Sequence, residues 1–185
     1  MQRSVRFVVI NAALALAYAV PAAAQSTTIV TDLVADVADA EKKFMALANA
    51  IPADKWDWRP GTGVRSVGEV FKHIAADNYL IPAGLGYAAD AATGIKGDDY
   101  KTAVAYEARK MDKAQTVAEL EKSFAHLKKS MQATPAAKLS DQVKLFGQPF
   151  TMQRAWILGT THLHEHLGQL IAYARTNSVK PPWSK

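Results

Sequence analysis

An all-α fold, with four long helices packed as a bundle, is predicted by three features of the sequence. Apolar residues recur at three-to-four spacing in four separate stretches, and capping residues, proline and glycine bound those stretches. No convincing period-two strand interrupts them. Amphipathic helices of this kind bury their stripes only against one another, so a bundle is the economical arrangement.

The first 24 residues read as an address rather than as part of that bundle. Arg3 and Arg6 form a positive start, Phe7 to Val20 is largely apolar, and Ala22-Ala23-Ala24 suits cleavage by a signal peptidase. The apolar run is short for a membrane span, which needs about 20 residues. Without a cysteine after it, a lipid anchor is excluded. The expectation is a signal peptide over residues 1–24 and one helical domain over residues 25–185, in a periplasmic or secreted protein with no stable membrane association after cleavage.

In the first helix Val30, Leu33, Val37, Ala40, Phe44, Leu47 and Ala48 keep the helical period until Pro52 stops it. Trp56 and Trp58 follow in a loop, where such rings usually cover the end of a core and less often touch a ligand. Ser66 and Glu69 form a capping box that opens a second helix, which carries Val67, Val70, Phe71, Ile74 and Leu80 and ends at Pro82 and Gly84. Residues 84–106 have no assignable pattern. The pair Thr116 and Glu119 repeats the capping-box spacing before Leu120, Phe124, Leu127 and Met131, the stripe of a third helix that ends by Pro135. Phe146-Gly147-Gln148-Pro149 reads as a turn, and Thr151 can cap a fourth helix that reaches Arg175.

Composition narrows the chemistry. The 185 residues contain no cysteine, which excludes disulfides, thiolate metal ligands and a cysteine nucleophile. Cleavage after Ala24 removes two arginines and no acids, taking the formal charge from +5 to +3. That charge is small and evenly spread, and it argues against nucleic acid as a partner.

Histidine is where the chemistry concentrates. Three of the five histidines lie within Thr161-His162-Leu163-His164-Glu165-His166. A helix advances about 100° per residue, so His162 and His166 share one face while His164 points roughly the other way. Their stripe borders the inner wall of Trp156, Gly159, Leu163, Leu167 and Leu170 and runs on through Gln169 and Tyr173. Gly159, one turn earlier, is expected to leave room beside the His162 ring. The pair alone is as readily two polar residues at the edge of a core. His73, in mid-helix between Phe71 and Ile74, shifts the balance, because a lone buried imidazole is costly whereas three converging on one ion are satisfied. Three neutral nitrogens suit Zn²⁺, Ni²⁺ or Fe²⁺ and leave positions for water.

The remaining candidates are weaker. His126, between Phe124 and Leu127, reads as a boundary residue with a small prospect of standing behind a ligand. Asp77, one turn after His73, either orients it or accepts a proton, but a solvated helix acid is the more common reading. Glu165 lies about 60° from His162 around the helix and can contact it from behind. His162 to His166 also fits the inverted zincin pattern H-x-x-E-H, in which the glutamate is a base. That pattern wants a downstream acid as third ligand, and none of the nineteen residues after His166 is acidic.

The stretch from Ile51 to Pro60 (IPADKWDWRP), the run from Ser66 to Ile74 (SVGEVFKHI) and the closing His162-x-x-x-His166-x-Gly168-Gln169 resemble the DinB-like superfamily. The resemblance covers about Thr31 to Arg175. It implies an up-down-down-up four-helix bundle, often a homodimer, with a divalent metal held by His73, His162 and His166. It also implies a metal-dependent enzyme acting on a small molecule. Hydrolysis by water at the metal leads. The alternatives are a thiol-dependent S-transferase, whose thiol must come from outside this chain, and a non-enzymatic metal- or ligand-binding protein. The export signal departs from the cytoplasmic thiol-dependent members and lowers the weight of a thiol cofactor.

Overall fold

The computed structural model describes residues 22–184. The proposed signal segment therefore lies, through residue 21, outside the described residues. Among the described residues, no helix is long and apolar enough to cross a membrane.

The protein is mostly helical. Four long helices dominate: α1 (Ala22–Ala50), α2 (Val67–Gly84), α4 (Lys113–Gln132) and α5 (Met152–Thr176), with a short α3 (Tyr100–Glu107) between the second and third. Helices α1 and α2 each pack against both α4 and α5, so the apolar stripes face a common core. The stripe residues anticipated on α1, α2, α4 and α5 are buried there, except Val30, which is partly buried at the edge, with Phe44, Phe71, Phe124 and Trp156 at its centre. Phe44 meets Phe71 edge-on and leans against Phe124, ring pairs that contribute beyond their buried area. Helix α2 has the most sheltered position, since every residue from Val67 to Pro82 is buried except Glu69 and Lys72. Trp56 caps the core as expected, stacked flat on Phe71 at 5.0 Å, while Trp58 lies edge-on to Tyr173 at 5.3 Å.

The capping box at Ser66 forms in both directions, with the Glu69 amide donating to Ser66 Oγ and the Ser66 amide donating to Glu69 Oε2. The second box lies one turn earlier than the sequence predicts. Asp112 and Gln115 form it at 2.8 and 3.0 Å, and Thr116 instead donates its hydroxyl to the Asp112 carbonyl inside the first turn. Asp, like Thr, is a good N-cap, and two overlapping signals four residues apart resolve in favour of the one whose partner is Gln115. Helix α2 ends at Gly84 as expected, with Pro82 in its last turn.

Residues 84–107 contain two elements without a sequence pattern of their own. A short 3-10 turn, Ala91–Thr93, is capped by Asp90, and α3 is capped by Asp99. Helix α3 buries only Ala103 and Tyr106, too little for a visible stripe. The loop is tied to α2 at Gly97, where a Cβ would stand 2.2 Å from the backbone of Ala83 and Gly84.

The all-α expectation needs one correction. Strands β1 (Gln142–Leu145) and β2 (Gln148–Thr151) pair antiparallel around the Phe146-Gly147 turn. Four residues per strand are too few for a period-two pattern to register. Both turn residues have positive φ, 51° at Phe146 and 77° at Gly147, as a tight two-residue hairpin turn requires. Thr151 ends β2 and also caps α5, accepting from the Arg154 amide.

Candidate metal centre

Helices α2 and α5 bring the three predicted histidines together. His73 is 5% exposed in the middle of α2, and His162 and His166 are half-buried one turn apart on α5. Their ring centroids are 5.3 Å (His73–His162), 4.6 Å (His73–His166) and 4.5 Å (His162–His166) apart. One nitrogen from each ring lies within 4.8 Å of the others, so the cluster can hold a metal ion.

The outer nitrogens are held in place. His73 Nδ1 lies 2.8 Å from Glu107 Oε1, at the end of α3, and the other oxygen of Glu107 accepts from Arg65 Nη2 at 3.1 Å. His166 Nδ1 lies 2.8 Å from Gln169 Oε1, and the Gln169 amide donates to the Tyr173 hydroxyl. His162 Nδ1 has a longer contact, 3.4 Å, with Glu165 Oε2. A carboxylate accepts and does not donate, so at His73 the proton belongs on Nδ1 and the Nε2 lone pair is left for a ligand. His166 follows the same logic through the Gln169 carbonyl. The donor set therefore fits a borderline divalent ion, with acceptors behind the imidazoles that fix ring orientation.

Asp77 is the largest revision. Instead of a solvated helix acid it is 7% exposed, and its Oδ2 lies 2.8 Å from His162 Nε2 and 3.2 Å from His73 Nε2. It stands on the inner side of the cluster, facing the nitrogens that a metal would use. Burial lowers the affinity of His162 for its proton, but the hydrogen bond and charge of Asp77, with help from Glu165, outweigh it and raise the pKa above the ordinary value. His166 goes the other way. Burial and the neighbouring His162 and His73 hold it below the ordinary range, against the Gln169 hydrogen bond.

Other expectations resolve differently. Glu165 is mostly exposed and reaches only the back of His162. His164 is exposed and outside the cluster. His126 lies against Tyr79, with ring centroids 5.4 Å apart, and its Nε2 is buried without a hydrogen-bond partner. It does not stand behind a ligand. The space at Gly159 faces Ile81 rather than the His162 ring, and a Cβ there would make ordinary contact at 3.7 Å. Glu107 and Arg65 had no sequence signal, because 34 and 42 residues separate the pairs they join. Gln169 did have one, as the close of the His162-to-Gln169 run.

The sequence model of the DinB superfamily matches residues 37–170, most of the chain. The chain belongs to the DinB superfamily. Two crystal structures share its fold. One is a DinB-like protein from Bacillus cereus, with TM-score 0.63 and 15% identity over 79% of this chain and 91% of the other. The second is a DinB-like protein from Bacillus subtilis, with TM-score 0.60 and 17% identity over 80% and 92%. No curated protein matches the sequence. At these identities the likeness establishes the fold, and the chemistry of this DinB member has to be read from its own site.

Proposed function

We propose that this chain is a metal-dependent hydrolase of small molecules, with His73, His162 and His166 as the ligands and Asp77 as the proton carrier. The observation that carries the reading is Asp77, a buried carboxylate 2.8 Å and 3.2 Å from two of the three inward nitrogens. A metal-binding protein needs the histidines alone. A buried acid beside their open side adds a group for proton transfer.

A divalent ion held there, with Zn²⁺, Ni²⁺ or Fe²⁺ suited to three imidazoles, supplies Lewis acidity and lowers the pKa of water. The protein's own groups do the rest. Glu107 and Gln169 keep His73 and His166 in one tautomer and orientation. Asp77 takes the proton that water loses as its oxygen adds to an ester or amide carbonyl, and returns it to the departing oxygen or nitrogen. A thiol-dependent transfer would need an external thiol, since the chain has no cysteine.

The same reading includes the superfamily's up-down-down-up order for the four long helices, supported by the packing of α1 and α2 against both α4 and α5. It also includes export to the periplasm with cleavage near Gln25, assembly as a homodimer, and no role for nucleic acid or a stable membrane anchor. Intact mass of periplasmic protein and sedimentation of the purified chain test the first two of these.

The decisive experiment measures metal content and hydrolysis of a panel of neutral esters and amides together. Wild type should carry about one ion per chain and turn over at least one substrate. Asp77→Asn should keep the ion and lose about 10²- to 10⁴-fold in kcat, the usual contribution of a general base. His162→Ala should lose both. Full metal with no hydrolysis across the panel would leave a metal-binding protein and defeat the hydrolase reading.

A further inference from the structure

The metal-proximal side of the cluster opens into a cavity of about 240 Å³. His73, Asp77 and His162 form its polar side. Facing them are Ile81 and Leu158, with the rings of Tyr100 and Phe146. Tyr100 and Phe146 also line a second cavity of about 740 Å³, bordered by Lys144 and Asp98. The two rings therefore stand at the boundary between an inner chamber beside the histidines and an outer groove.

Neither ring is packed into the core. Tyr100 is 51% exposed at the start of α3, and Phe146 is 49% exposed at the tip of the hairpin. Phe146 also holds φ at 51°, a conformation that suits glycine or asparagine and is strained for a bulky side chain. An exposed aromatic ring at a strained position adds little to the core. Strain of this kind persists where the surroundings over-determine it, commonly at ligand clamps.

We infer that Tyr100 and Phe146 are an aromatic clamp that selects substrates with a compact apolar group next to the reacting carbonyl. Size comes from the chamber: a cavity of about 150 Å³ already accepts a benzene ring, so the inner space suits a phenyl or short branched alkyl group. The larger remainder of a substrate passes between the rings into the outer groove, where Lys144 and Asp98 tolerate polar groups. The orientation of the carbonyl toward the histidines rests on the hydrolase reading; the apolar chamber does not.

Benzamide and acetamide are the probes, titrated by isothermal calorimetry and ligand-detected NMR into zinc-loaded and metal-stripped wild type. Benzamide should bind saturably to both forms, and acetamide at least about tenfold more weakly to each, since it has no ring for the clamp to hold. Phe146→Ala and Tyr100→Ala should each weaken benzamide about tenfold, the order expected for losing one face of an aromatic contact. Phe146→Leu should recover part of that loss. Val104→Ala, an exposed apolar residue on α3 outside both cavities, should change nothing. Thermal unfolding checks the fold of each variant, and Phe146→Gly, which relieves the positive φ, should melt no lower than wild type while losing the same affinity. Ring-dependent benzamide binding without any metal uptake would uphold the clamp while sinking the hydrolase. Unchanged benzamide affinity in folded Phe146→Ala and Tyr100→Ala, or equal affinity of acetamide and benzamide, would overturn the clamp.

Discussion

The cluster of His73, His162 and His166 and the isolated His126 present two ways of sheltering an imidazole in one helical protein. In the cluster every Nδ1 meets an acceptor, and the inward nitrogens face one another and Asp77. At His126 the buried Nε2 meets nothing, and burial depresses the pKa despite a hydrogen bond from the ring to the Tyr87 backbone. An unsatisfied buried polar atom costs about 1–3 kcal/mol, and the core carries one here and another at Trp56 Nε1. In the cluster Asp77 spares His73 and His162 that cost by partnering their inward nitrogens. The comparison shows that a buried, unpartnered nitrogen is not itself a site. Convergence, with acceptors arranged behind it, is what distinguishes one.

The largest effect should come from removing a member of the cluster. His73→Ala is expected to abolish stoichiometric metal binding, whereas His126→Ala should leave it intact, as measured by metal analysis after dialysis. Loss of metal in both variants would break the distinction. Next in size is Glu107→Gln, which weakens the acceptor behind His73 and strips Arg65 of its ion pair. Partners of this kind typically contribute 10- to 100-fold in metal affinity, so a fall of about that size should appear in competition titrations with a chelator. An unchanged affinity would mean that Glu107 only ties α3 to α2.

The same contrast explains what was legible in the sequence. The His162–His166 pair declares itself because both residues share one helix, where spacing alone fixes their common face. His73 was legible from its apolar neighbours in a capped helix. Asp77 was named as a candidate but weighed more as a solvated acid, because a helical stripe reveals which face is buried only when one face is polar, and α2 is buried almost throughout. Glu107 was invisible for a different reason. It reaches His73 from an eight-residue helix with two buried side chains, in a stretch that carries no period. The hairpin escaped on the same ground of length, and with it the position of Phe146. Long amphipathic helices announce themselves locally; short elements are held by tertiary contacts, which leave no repeating mark.

Acidity offers a smaller and more selective probe. The folded-state pKa of His126 lies below the ordinary value of 6.5, so its contribution is complete above that pH and is lost as pH falls toward the lower folded value. His162, raised in the fold, does the reverse: its contribution is present below the ordinary value and is lost as pH rises through its folded value. In metal-free protein, His126→Leu should therefore flatten the loss of stability between about pH 7 and pH 5. Denaturant unfolding at both pH values reads this directly. A steeper acid loss in the variant would show that protonated His126 is stabilised by the acids across its groove, Asp90 and Glu119, against the opposing charge of Lys129.

The smallest expected effect is the sharpest control, His164→Ala. This residue is flanked in sequence by both α5 ligands, so any account based on a histidine-rich segment as such would assign it a share of the metal. The helical period turns it outward, and it is exposed and outside the group of converging nitrogens. Alanine is also the better helix former, and at a solvent-facing position that preference is worth only a few tenths of a kcal/mol. Metal stoichiometry and chelator competition should therefore be unchanged, and thermal unfolding should move little, if at all upward. A measurable fall in affinity would mean that the ion draws on the outer face of α5, which the inward placement of His73 does not allow for. The trio would then have to be reassigned, and Asp77 would lose its place beside the reacting groups.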